Sequence, residues 1–276
     1  MLQSWCRGYV SSRPAIAPQS NHYSDGQGQT RVTTHVIFGT NAPSPTQQTR
    51  ISIDPPSPYA RQIPLHVHPS KATPITLRDL YKFNHYIKTT TDPVIRARSA
   101  LDSPTRTTVS TVGGSGLEWG GWLEFVDKQE RITSPSLAFL VDVFVNVVRL
   151  LPKEIRGNLN DRYDAATSQQ RIDHVFPISW FPTMVLSLEF KKPIPSESDA
   201  HASRTVGIYS VGRFLDDPDH RHDTHVEIWS APSNVGEGVD SGEWRSKQVC
   251  LATATQMSLT LPLTVNETRA KRDAKL

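Results

Sequence analysis

Apolar and polar positions are distributed unevenly along this 276-residue chain, dense in pattern after residue 117 and sparse before it. The clearest run is residues 183–190, where Met184, Leu186, Leu188 and Phe190 alternate with Thr183, Val185, Ser187 and Glu189. A period of two predicts a strand with one buried face. Strands are also predicted at residues 119–126, 204–215, 224–230 and 247–261, and the alternating run extends back to residue 180. Between the first two strands, residues 134–151 read as one long apolar helix, with Ser134 as cap, Pro135 at the first helical position and Pro152 as the stop. Residues 153–173 read as a polar loop, and the glycine-rich residues 231–243 as a long hairpin connection. Consecutive strands with short connections pair antiparallel, and an apolar helix must bury its surface against them. The predicted class is therefore α+β, an antiparallel sheet wrapped around one long apolar helix.

Upstream, breakers dominate. Pro43, Pro45, Pro55, Pro56, Pro58, Pro64, Pro69 and Pro74 make residues 1–75 read mostly as linker or loop, with a single strand at residues 30–38. Thr76 can then cap a helix with Asp79 three residues later and Leu77, Leu80, Tyr81 and Phe83 at near-helical spacing. Residues 89–116 read as a connecting loop. Its Gly113-Gly114-Ser115-Gly116 is no nucleophile elbow, because Leu117 stands where that motif needs glycine. The resulting organisation is a proline-rich, partly disordered segment 1–75, a linking helix and loop 76–116, a domain 117–263 and a basic tail 264–276. The composition agrees, since 37% hydrophobic and 21% charged residues with 21 prolines imply that part of the chain is not packed.

Charge removes some partners from consideration. The 30 basic and 27 acidic residues give a net charge of +3, far from the field of a nucleic-acid binder. No membrane span is expected either, because the apolar stretch 137–151 is interrupted by Asp142, Asn146 and Arg149. Cys6 and Cys250 lie at opposite ends of the sequence and match neither a disulfide framework nor a zinc spacing, which fits a reducing compartment. His220, His222 and His225 stand among Asp216, Asp217, Asp219 and Asp223, but Pro218 and the polar density suit a solvated turn better than a metal site.

Three polar intrusions into apolar pattern remain. Asp142 is the only acid of the predicted helix; facing the sheet, its pKa would rise, whereas with Asn146 and Arg149 at i, i+4 and i+7 it could belong to a polar stripe open to water. Thr183 heads the alternating strand. Gln256 shares one face of the last strand with the small residues Cys250, Ala252 and Ala254. Taken singly, a strand threonine is an ordinary β-former and a strand glutamine ordinarily meets solvent.

Read together, four motifs change the picture. Trp119-Gly120-Gly121-Trp122-Leu123-Glu124-Phe125, Ser136-Leu137-Ala138-Phe139-Leu140-Val141-Asp142, Ser179-Trp180-Phe181-Pro182-Thr183 and Ala254-Thr255-Gln256-Met257 occur in that order. The chain from about residue 76 to residue 276 thereby resembles the second half of the acyl-CoA thioesterase II family, especially its fungal thioesterase-like members. The resemblance implies a hotdog fold, an acyl-CoA substrate and hydrolysis to free acid and coenzyme A with no cofactor. It also places the family's Asp, Thr and Gln triad on Asp142, Thr183 and Gln256. Asp142 would take a proton from water while the Thr183 hydroxyl and the Gln256 amide hold that water and the carboxylate.

The departure from the family lies upstream. Its full members are double hotdogs, whereas here residues 1–75 read as the remnant of an N-terminal hotdog, keeping its last strand near residues 30–38. The sheet face so uncovered leads to the expectation of a homo-oligomer. It also keeps open a different function, that of a catalytically weak hotdog serving as a binding or accessory protein in a fungal secondary metabolic pathway. Lys191, Lys192 and Arg213 could meet coenzyme A phosphates, though exposed strand-end charges are the simpler reading. The terminal Ala274-Lys275-Leu276, after Arg269, Lys271 and Arg272, resembles the Ser-Lys-Leu peroxisomal address and makes the peroxisome the expected location. Residues 1–24, with arginine and serine and no acid, offer mitochondrial import as the alternative, and the cytoplasm is the other.

Overall fold

Alternating strands with few long connections dictate a sheet, and the computed structural model shows which segments join it. It describes residues 19–24, 30–36, 59–75, 82–100, 103–104, 117–151, 179–214 and 221–262. The chain divides into two units, Met1–Ile53 and Asp54–Leu276. In the first, β1 (Gln19–Ser24) and β2 (Thr30–Val36) form an antiparallel hairpin in which Gln19 faces Val36 and Tyr23 faces Val32. β2 is the strand predicted at residues 30–38, two residues shorter. β1 lies in what read as linker, because its sequence QSNHYS carries no apolar alternation. Residues 1–18 of the transit-like segment 1–24, the loop 153–173 and the tail 264–276 with its terminal tripeptide lie outside the described residues.

The second unit holds a seven-stranded sheet in the order β3-β4-β5-β8-β9-β10-β7, with every pairing antiparallel. Its members are β3 (Pro74–Ile75), β4 (Ile87–Thr90), β5 (Leu117–Phe125), β7 (Thr183–Phe190), β8 (Thr205–Phe214), β9 (His222–Ser230) and β10 (Cys250–Ser258). Predicted strand 180–190 is divided at Phe181-Pro182, where proline offers no N–H to a ladder. Its first residues form β6 (Ser179–Trp180), which pairs with β11 (Leu261–Pro262). Among the described residues, part of the segment expected to link the two halves is structured. The helix expected from Thr76 through Phe83 lies outside the described residues at 76–81; Pro74–Ile75 before it is strand, and Lys82–His85, which holds Phe83, is a single 3-10 turn. α1 (Pro93–Arg98) stands in the supposed loop 89–116, started by Asp92 as cap and Pro93 in the first turn.

The long helix 134–151 is not formed. In its place are α2 (Ser134–Leu140) and α3 (Val147–Leu150), separated by residues 141–146. Val141, Val143 and Val145 are β-branched and favour helix weakly. Asn146 adopts an extended backbone and caps α3, its side chain accepting the Val148 N–H at 2.9 Å. α2 begins one residue earlier than expected in capping terms, with Thr133 and Ser136 exchanging bonds in a capping box. Leu137, Leu140, Val141 and Val143 bury against Trp119, Leu123, Val206, Ile208, Val226, Ile228 and Ala254 on one face of the sheet.

The opposite face is covered by residues that read as linker. Ile63 and Leu65 are fully buried with Ile95, Trp122, Trp229 and Trp244. The sheet makes room for them, since a Cβ on Gly207 would lie 2.9 Å from Ile63 Cδ1 and one on Gly120 2.7 Å from Leu65 Cδ2. Prolines here set an extended strap without unpacking it. Trp122 Nε1 donates to Val67 O at 2.9 Å, and the Arg245 guanidinium donates to Ile63 O at 3.0 Å. Buried Asp92 ties the strap to α1: Oδ2 accepts the N–H groups of His66 and Val67, and Oδ1 those of Val94 and Ile95. The connection 231–249 closes over the same face, contributing Val235 and, from α4 (Trp244–Lys247), Trp244.

The expectation of one buried face on β7 is corrected by its position. It is an edge strand with β10 as its neighbour, so Met184, Leu186 and Phe190 are 55%, 40% and 48% exposed, and Leu188 is the one that packs against the core. The strap's attachment carries a test. Asp92→Ala leaves four N–H groups without their acceptor and should lower unfolding free energy by about 2–4 kcal/mol. An unchanged denaturant midpoint would show that the strap is held without the Asp92 bonds, by its apolar contacts and the bonds from Trp122 and Arg245.

Candidate active site

The turn that ends α2 delivers Asp142 to the sheet. Val141 is the C-cap, Asp142 N–H still bonds Phe139 O at 3.1 Å, and the chain then turns away. On β10, Gln256 points to the same side as Ala254, opposite Leu186 of β7 and Thr224 of β9, and is 2% exposed. A glutamine so buried needs partners for its amide. Thr183, first residue of β7, pairs with Ser258 across a register irregularity at Met257, which brings its hydroxyl beside Gln256.

These three side chains, 114 residues apart at the extremes, meet. The Gln256 Nε2 donates to Asp142 Oδ1 and to Thr183 Oγ1, the latter at 2.8 Å. The Thr183 hydroxyl donates to the same Asp142 oxygen at 3.4 Å. Each proton then has one place: two amide protons and one hydroxyl proton satisfy one carboxylate oxygen and the threonine oxygen. Oδ2 takes no bond from the described residues. Asp142 keeps an exposed surface on one side, yet burial by the surrounding protein raises its pKa above the ordinary aspartate value, against the lowering effect of the bonds from Gln256 and Thr183.

The stripe reading fails, because Asp142, Asn146 and Arg149 do not share a helix. The other sequence candidates do not converge on this centre. Lys191 pairs with Glu189, and Arg213 is exposed. Cys250 is a free thiol whose pKa burial pushes up to about 11. His222, read as part of a solvated turn, is instead wholly buried at the start of β9, while residues 216–220 lie outside the described residues. Among the described residues no group of three or more metal-ligating side chains forms. What sequence reasoning missed is the role of Asn146, whose cap position before a short apolar run was a readable signal.

No protein-family model matches the chain, and no curated protein matches it in sequence. Solved structures do resemble it. A hotdog-fold protein of unknown function from Alicyclobacillus acidocaldarius is 13% identical, over 91% of this chain and 70% of that one, with a TM-score of 0.50. The chain shares the hotdog fold. A proposed thioesterase II from Thermobifida fusca YX is 17% identical with a TM-score of 0.47; the match covers 84% of this chain, which spans 65% of that protein's length. A thioesterase family protein from Silicibacter pomeroyi is 9% identical over 52% of this chain and 78% of that one, at a TM-score of 0.29.

The electrostatics of the site predict a titration. Followed by carbon NMR, the Asp142 carboxyl should lose its proton above the ordinary aspartate range, and Gln256→Leu should move it higher still by removing the larger of the two opposing bonds. Because the folded state binds this proton more tightly than the unfolded one, stability falls as pH rises through the interval between the two pKa values. Asp142→Asn should therefore be slightly more stable than the parent at neutral pH. A carboxyl titrating at or below the ordinary value contradicts this account.

Proposed function

We propose that the chain is a thioesterase-like hydrolase that splits acyl-CoA into a free acid and coenzyme A. The observation that carries the reading is the mutual hydrogen bonding of Asp142, Thr183 and Gln256 in a hotdog fold. The motifs around these residues resemble the acyl-CoA thioesterase II family in the same order along the chain. Water held at Asp142 Oδ2 attacks the thioester carbonyl carbon, and the carboxylate takes its proton as the C–O bond forms. The tetrahedral intermediate expels the thiolate, the C–S bond breaks, and the proton passes from Asp142 to the leaving sulfur. Thr183 and Gln256 hold Oδ1, leaving Oδ2 directed at the water. A raised pKa suits the task, since a stronger base accepts the proton more readily near neutral pH.

A binding or accessory role is the second reading, favoured by the openness of Asp142 and Thr183 to solvent. Coenzyme A release, followed with a thiol-trapping dye over a series of acyl lengths, separates the two. Under the hydrolase reading Asp142→Asn loses turnover by a hundredfold or more, on the order expected for a general base, and Thr183→Val loses less. The rate should rise with pH as the Asp142 carboxyl deprotonates. A folded protein that releases no coenzyme A from any acyl length sinks the hydrolase reading, as does an Asp142→Asn variant with the parental rate. Self-association belongs to the same reading, because β7 offers an edge with Met184, Leu186 and Phe190 exposed. Light scattering at about tens of micromolar should give a dimer or larger species; a stable monomer contradicts it.

A further inference from the structure

His222 is a buried, titratable side chain that the reaction does not use. It lies at the first position of β9, fully buried, two residues from Thr224, the partner of Gln256 in the ladder. Its Nε2 is 3.1 Å from Asn146 Nδ2. The roles in that bond follow from Asn146 itself: Oδ1 accepts the Val148 N–H and caps α3, so the amide N–H₂ faces His222 and donates to Nε2. The ring proton of the neutral imidazole then sits on Nδ1. The same ring meets Phe181 edge-on, with centroids 6.2 Å apart. Asn146 closes the turn that carries Asp142, and Phe181 lies two residues ahead of Thr183. One buried ring thus touches both segments that carry the exposed members of the triad, from the strand next to the one that carries Gln256.

We propose that His222, linked through Asn146, is a positioning residue that holds the Asp142 turn and the start of β7 against Gln256. The inference deepens the hydrolase reading and rests on it for its effect on rate. Such a clip matters because residues 141–146 are not helical and β7 is an edge strand, so neither segment is fixed by secondary structure alone on both sides.

Two variants remove the link without removing the elements. Asn146→Ser keeps a capping oxygen for α3 but is too short to reach His222. His222→Phe keeps a ring beside Phe181 and deletes the acceptor. Each should lower kcat about ten- to a hundredfold with KM within about twofold, since misplacement of the base by an ångström costs on that order. The double variant should be no slower than the slower single one, because both changes break one link. His222→Gln, which offers an amide oxygen to Asn146, should recover part of the rate. Carbon NMR of Asp142 gives a readout that needs no turnover: as the released turn becomes hydrated, its titration should move down toward the ordinary aspartate value in both single variants. Unchanged Asp142 titration in folded Asn146→Ser overturns the proposal, and so does parental kcat. If the parent hydrolyses no thioester, the hydrolase reading falls by itself, and the Asp142 titration still decides whether His222 positions the turn. If His222→Phe does not fold, Asn146→Ser decides.

Discussion

The bond between the Gln256 amide and the Asp142 carboxylate is the constraint to which this side of the molecule is fitted. An ionised carboxylate placed against an apolar sheet face costs several kcal/mol unless donors meet it. Two features meet that demand. α2 stops at Leu140, so the aspartate sits in a turn with one side open to solvent and not in the middle of a buried helical surface. The strand beneath it carries Ala252 and Ala254, whose small side chains let the turn approach, and then Gln256, whose two amide protons reach both the aspartate and the threonine.

The other face of the sheet has a different task. A strap of residues 59–75, α1 and the 231–249 connection bury Trp122 of β5 and Trp229 of β9 and leave the helix-bearing face to the site. Asp92 is the joint of that cover, accepting four backbone N–H groups from two segments, the strap and α1. The division is physical: one face is sealed by apolar contact and closely approached glycines, and the other keeps a polar centre at its edge. Edge placement of β7 gives the site access while exposing Met184, Leu186 and Phe190.

Much of the sheet could be read in the sequence, because the strands expected at residues 119–126, 204–215, 224–230 and 247–261 coincide closely with β5, β8, β9 and β10. The three residues that meet, Asp142, Thr183 and Gln256, were singled out through motif resemblance; periodicity alone left Asp142 between a buried acid and a wet stripe. The break of the helix was not legible, since valines at 141, 143 and 145 sustain an apolar pattern while disfavouring the helix that the pattern suggests. The strap was hidden because prolines read as breakers, although Ile63 and Leu65 beside Pro64 are core residues. Asp92-Pro93 was a readable helix start, passed over in a polar stretch. The exposure of β7 depends on strand order, which local sequence does not encode.

The central claim is that Asp142 acts as a base on water and does not itself attack the thioester. A single turnover of acyl-CoA in water labelled with heavy oxygen, with protein in excess, followed by mass spectrometry of the acid and of the peptide that contains Asp142, tests this against attack by Asp142 with the resulting anhydride opened at the aspartyl carbon. Direct attack by water places the label in the free acid and leaves the Asp142 peptide unlabelled. Label in the Asp142 peptide, or an acid without label after the first turnover, would contradict the account.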